Sequence, residues 1–122
     1  MTERTLAGAR VLVVEDEYLL AAELRRELSD LGCVVLGPVG SVDAALALIE
    51  REPHIDGAIL DVNLGGDCVY PAADLLGERG VPFLFATGYD GMSVPAKYAD
   101  TVRLGKPIDL TGIARVIGRA AG

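Results

Sequence analysis

The chain has 122 residues, is 51% hydrophobic and carries a formal net charge of −7, which is enough for one domain with its own core and too little for two. The acidic balance speaks against a nucleic-acid surface, which needs a basic stripe, and no apolar run approaches the roughly 18–20 residues of a membrane span. Residues 1–10 include Glu3 and lack the apolar stretch of a secretory signal, so a cytoplasmic protein is expected.

Short β-like runs alternate with helical ones, which is the pattern of an α/β sheet. The first strand is expected over 10–15 and the first helix over 17–31, with Leu20, Leu24, Leu28 and Leu31 on one face and Gly32 as its stop. A second strand over 33–36 is expected to halt at Gly37-Pro38, and Ser41 to cap a helix carrying Val42, Ala45, Leu46 and Ile49 at helical spacing. The third strand spans 57–60 and runs into a polar, glycine-rich loop over 62–67. Pro71 opens a helix to residue 78 that Gly80 ends. Strands over 81–86 and 101–104 follow, and Asp109 caps a last helix with Leu110, Ile113, Ala114 and Ile117 inward. The stretch 89–100, with Gly91, Ser93 and Pro95, is a poor helix former, so the fourth-helix region is expected to be an atypical or mobile loop or a short helical turn. Cys33 and Cys68 have no metal-ligand spacing and are read as reduced thiols.

Four strands end on polar residues: Glu15-Asp16, Asp61, Thr87 and Lys106. In a parallel sheet, functional groups gather in the crevice beyond the strands' carboxyl ends, so these residues are expected to share one site. Adjacent carboxylates repel, and a hard divalent cation such as Mg²⁺ relieves that repulsion through oxygen ligands. Asp16 and Asp61 would ligate directly, the Asn63 backbone carbonyl would add a third ligand, and Glu15 would hold metal-bound waters. Taken alone, the pair reads more readily as acids that a helix dipole favours at an N-terminus, though that description suits Glu17 better; only the other strand-end residues favour the metal. Asp61 is the candidate nucleophile, able to accept a phosphoryl group as an acyl phosphate, with Lys106 and Thr87 placed to offset charge on its oxygens. Singly, Thr87 and Lys106 read as a strand-end hydroxyl and a surface cation. Asn63 and Tyr89, each two residues beyond a site residue, are expected to tune hydrolysis by flanking the path of water.

The ordered set Val11-Leu12-Val13-Val14-Glu15-Asp16-Glu17, Leu60-Asp61-Val62-Asn63-Leu64, Phe85-Ala86-Thr87-Gly88 and Lys106-Pro107 resembles the receiver domain of two-component response regulators over essentially the whole chain. That resemblance implies a flavodoxin-like doubly wound sheet of five parallel strands in the order 2-1-3-4-5, with Asp61 as phosphoacceptor, Glu15 and Asp16 as the acidic pair, Thr87 as switch hydroxyl and Lys106 as site lysine. It implies Mg²⁺ as cofactor and a histidine kinase or histidine phosphotransfer protein as phosphodonor. Glu15 departs from the usual aspartate, and Arg103 stands where receivers commonly carry Tyr or Phe, three residues before the lysine. The run Pro82-Phe83-Leu84-Phe85-Ala86-Thr87-Gly88-Tyr89, with Val69-Tyr70-Pro71 upstream, is similar to the FATGY-type single-domain receivers of alphaproteobacteria. Tyr89 then either takes over aromatic duties at the site's rim or is a half-buried loop residue. The expectation is one receiver domain over 1–122 with no effector domain. Such a chain would act through a downstream protein partner or as a phosphate shuttle, rather than as a turnover enzyme.

Two other readings compete. A haloacid-dehalogenase-type phosphatase needs an aspartate two residues after its nucleophile as general acid, and here that position is Asn63. A pseudo-receiver would bind partners without phosphorylation. His54 is the only histidine, and Asp67 is read as solvated loop charge.

Overall fold

A computed structural model describes residues 4–88, 94–106 and 108–120. Its main sheet has five parallel strands: β1 (Arg10–Val14), β2 (Val34–Val39), β3 (Gly57–Asp61), β4 (Phe83–Thr87) and β5 (Arg103–Gly105), in the order β2-β1-β3-β4-β5. Among the described residues three α-helices connect strands, α1 (Tyr18–Asp30), α2 (Val42–Arg51) and α3 (Tyr70–Glu78), and α4 (Leu110–Ile117) follows β5. This is the flavodoxin-like doubly wound fold in its expected strand order.

Period-two alternation along the central strands divides the core. Leu12, Val14, Leu60 and Phe85 face α2 and α3, together with Leu48, Ile49 and Leu76. Val11, Val13, Ile59 and Leu84 face the other way, with Leu28 of α1 and Ile113 and Ile117 of α4. All of β3 is buried, as a central parallel strand covered on both faces must be. Gly57 is required by this packing: a Cβ there would lie 2.5 Å from the Ile117 side chain.

The capping signals operate as read. Ser41 accepts a hydrogen bond from Ala44 N (3.1 Å), and Asp109 accepts one from Thr111 N (3.0 Å). Pro71 sits in the first turn of α3, and Gly80 takes φ +70° just beyond its end.

Several boundaries differ from the sequence reading. β2 does not halt at Gly37-Pro38 but runs on to Val39. Leu12 pairs with Leu36 and Val14 with Val39, so an extra residue bulges out at Gly37, whose φ is +96°. As β2 is an edge strand, the N–H that Pro38 lacks breaks no ladder. Leu31 is not on the buried face of α1: it is the C-cap, 43% exposed, where the chain turns toward Gly32. The expected loop over 62–67 is instead a small hairpin, Asn63–Leu64 paired antiparallel with Asp67–Cys68. Arg4–Thr5 also pairs antiparallel with Arg119–Ala120, joining the two ends of the described chain.

After β4, residues 89–93 lie outside the described residues. The part that follows contains a single 3₁₀ turn, Ala96–Tyr98, which is the short helical turn expected there. Among the described residues, no helix is long and apolar enough to cross a membrane.

Candidate functional site

Each strand of the central sheet delivers its last residues to one edge. β1 runs directly into Glu15, whose backbone N–H donates to Val39 O (2.9 Å) and whose carboxylate is buried, followed by exposed Asp16. Asp61 closes β3 at 5% exposure, and Thr87 closes β4, also buried. Lys106 follows β5, and its backbone N–H donates to Thr87 O (3.0 Å), which fixes lysine and threonine side by side. Asp16, Asp61, Asn63, Thr87 and Lys106 line one cleft of about 250 Å³. Sequence position alone does not bring these residues together; the parallel topology does.

Lys106 is a half-buried cation, held among carboxylates. Its Nζ lies 2.7 Å from Glu15 Oε1 and 3.0 Å from Asp61 Oδ2, with 12% of its side chain exposed, and Glu17 reaches it from the rim at 3.7 Å. Burial by itself lowers the lysine's pKa, but the bonds to Glu15 and Asp61 outweigh it and the net shift is upward. Burial is the main force on Glu15, and with the Asp61 carboxylate beside it the pKa is pushed up to about 7 against the pull of Lys106. Two carboxylates and one ammonium leave the site short of positive charge.

Carboxylate oxygens of Glu15, Asp16 and Asp61 lie within 4.8 Å of one another. An all-oxygen set, one member of which is exposed, fits a hard divalent cation that keeps part of its water shell. Asn63 N–H donates to Asp61 Oδ1 (3.2 Å), so the backbone two residues on is folded back over the carboxylate. The Asn63 side chain, however, accepts from Gly66 N (3.0 Å) and so belongs to the hairpin turn. Tyr89 and Pro107 lie outside the described residues. Asp67 is exposed, in the outer hairpin strand. His54, paired with Asp56 at 2.7 Å, lies before β3 at the opposite edge of the sheet.

The sequence reading missed two features. Glu17 contributes a rim carboxylate to Lys106, besides being the N-cap residue of α1. The larger omission is an aromatic cluster where β5 presents only exposed Arg103. Tyr98 of the 3₁₀ turn is 7% exposed, stacks on Tyr70 at 5.7 Å and meets Phe85 edge-on at 5.5 Å. Its hydroxyl donates to Asp74 on α3, which also pairs with Lys97 at 2.8 Å. Phe85 is two residues before Thr87 on the same strand, so the cluster abuts the strand that carries the site hydroxyl. The aromatic content of the motif run and of Tyr98 is visible in sequence, but their convergence is not.

No family model and no curated protein sequence matches the chain. Solved structures do. SdrG from Sphingomonas melonis Fr1 is 42% identical with a TM-score of 0.77, over 88% of this chain and 92% of that one. The BeF3-activated conformation of SdrG, from Pseudomonas melonis Fr1, is also 42% identical, with a TM-score of 0.72 over 89% and 92%. A response regulator protein from Burkholderia pseudomallei, solved with a phosphorylated aspartic acid, calcium ion and citrate, is 26% identical, with a TM-score of 0.73 over 89% of this chain and 66% of that one. With the strand order, the acid cluster and the lysine already in place, these likenesses identify the chain as a member of the receiver family of two-component response regulators.

Proposed function

We propose that this domain accepts a phosphoryl group on Asp61 from a phosphohistidine of a histidine kinase or histidine phosphotransfer protein, with Mg²⁺ bound by Asp16, Asp61 and the Asn63 carbonyl and its waters held by Glu15. The observation that carries this reading is the state of Asp61: a nearly buried carboxylate at the floor of an open cleft, held by Lys106 Nζ on one oxygen and by Asn63 N–H on the other. A carboxylate kept only for packing has no need of a cleft. Support comes also from relatives whose structures were solved with BeF3 activation or a phosphorylated aspartic acid.

In this reading one Asp61 oxygen attacks phosphorus, the P–N bond of the phosphohistidine breaks, and the imidazole leaves with its electron pair and takes up a proton. Lys106 keeps Asp61 ionised and oriented before attack, then neutralises a phosphoryl oxygen as charge moves outward. Thr87 supplies a hydroxyl from the neighbouring strand end. The cation, when bound, screens charge between the carboxylates and the incoming group. Output is by protein–protein contact or by passing phosphate along a relay, and the net charge of −7 leaves no basic stripe for nucleic acid.

Incubation with acetyl phosphate and Mg²⁺, followed by intact-mass measurement and phosphate release, separates the possibilities. A covalent adduct that persists for minutes supports the receiver reading. An unmodified protein that releases no phosphate points to a pseudo-receiver, and continuous phosphate release without an adduct to a phosphatase.

A further inference from the structure

The hairpin after Asp61 has a register that matters to the site. Val69 N–H donates to Val62 O (3.1 Å) while Val62 N–H donates to Ala86 O (3.2 Å), and with Leu64 paired to Asp67 this register makes the intervening rung, Asn63–Cys68, a non-bonded one. In such a rung the N–H and C=O of one residue point together, away from the partner strand. The Asn63 N–H points to Asp61 Oδ1. Its carbonyl therefore leaves the hairpin on the edge that faces the acid cluster.

The turn decides this register. Gly65 and Gly66 join Leu64 to Asp67 with φ of +60° and +101°, the two positive values that a tight hairpin turn requires. Asn63 Oδ1 closes the turn by accepting from Gly66 N, and Leu64, 4% exposed, anchors the hairpin in the core. Gly65 passes beside the site, where a Cβ would stand 3.7 Å from Asp16 Oδ2. A slip of one residue would turn the carbonyl of Asn63 away and flip Leu64 out of the core.

We propose that the Gly65-Gly66 turn, latched by the Asn63 side chain, is a positioning element that sets the hairpin register so that the Asn63 carbonyl faces the cation site. Asn63 acts through the turn rather than on water approaching Asp61. This rests on the reading that the acid cluster binds a divalent cation, and its test separates the two claims.

The test is titration of Mg²⁺ into the unphosphorylated ¹⁵N-labelled protein, following amide shifts, with hydrogen exchange at the Gly66 and Val69 amides as a second readout. Gly66→Val places a β-branched residue at positive φ, and Asn63→Ala removes the latch while keeping the backbone carbonyl. Both are expected to weaken Mg²⁺ binding about tenfold, as loss of a partner that orients a metal ligand does, and to speed exchange at Val69. If Gly66→Val does not fold, Asn63→Ala decides. Wild-type Mg²⁺ affinity in Asn63→Ala together with faster Val69 exchange would overturn the proposal and leave the cation reading standing. Weaker binding with unchanged Gly66 and Val69 exchange would assign the side chain to the cation directly and also overturn it. No Mg²⁺-dependent shift in the wild type would remove the cation reading itself.

Discussion

Replacing Lys106 with methionine tests the electrostatic account of the site, because it keeps most of the side-chain volume and removes only the charge. The ammonium lies 2.7 Å and 3.0 Å from two carboxylates whose side chains are each 7% exposed. Removing one partner of such a buried cluster costs about 3–5 kcal/mol. The loss depends on pH. The Glu15 carboxyl is raised from 4.5 to about 7 in the folded protein, so the stability it contributes is full below 4.5 and is lost as pH rises through 7. Without Lys106 nothing opposes Asp61, Glu15 rises further, and the folded variant holds a proton where wild type does not. In metal-free buffer the variant should lose about 3 kcal/mol at pH 8, roughly 10 °C in Tm for a domain of this size, and about 1–2 kcal/mol less at pH 5.5. Thermal and urea melts of both proteins at the two pH values, with chelator and then with Mg²⁺, measure this. Added Mg²⁺ should restore part of the loss at pH 8. An equal loss at both pH values, untouched by Mg²⁺, would mean that Lys106 acts through packing and would refute the electrostatic reasoning.

Proton and cation should compete at Glu15: with its pKa near 7, Mg²⁺ affinity should strengthen about tenfold between pH 6 and pH 8, and a flat profile by calorimetry would exclude Glu15 from the cation's surroundings. Asp16→Asn should weaken Mg²⁺ binding while the circular dichroism spectrum stays that of the wild type, since Asp16 is exposed. Tyr98→Phe keeps the aromatic cluster but loses the bond to Asp74, a cost of about 1 kcal/mol. Tyr98→Ala removes a buried ring and should cost about 3–5 kcal/mol, and similar urea midpoints for the two variants would show that the ring carries little.

The sheet was legible because its strands are short, apolar and punctuated: Val11-Leu12-Val13-Val14 and the run from Gly57 to Asp61 can hardly be anything but buried parallel strands. That polar residues would meet at the strand ends was legible for a related reason, since a carboxylate, hydroxyl or lysine closing such a run is awkward for packing alone. What the sequence hid were contacts made by folding. Gly37-Pro38 reads as a stop, yet an edge strand absorbs it as a bulge. Gly65-Gly66 reads as a loose loop until Leu64 is seen to be buried and the flanking residues to pair. Taken singly Lys106 reads as a surface charge, and although the ordered motifs place it in the site, nothing local shows that Glu15, 91 positions earlier, lies against it. The Arg103 position showed that an aromatic was missing, but only the fold shows Tyr98 and Tyr70 gathered on Phe85.

The central claim is that Asp61 is the phosphoacceptor. Wild type and Asp61→Asn are treated with acetyl phosphate and Mg²⁺, then reduced with borohydride, which converts an aspartyl phosphate to homoserine, and digested for peptide mass mapping. The account predicts homoserine at position 61 of the wild type, none without Mg²⁺, and no label in Asp61→Asn. Label at another residue, or equal labelling of the Asn variant, would contradict it.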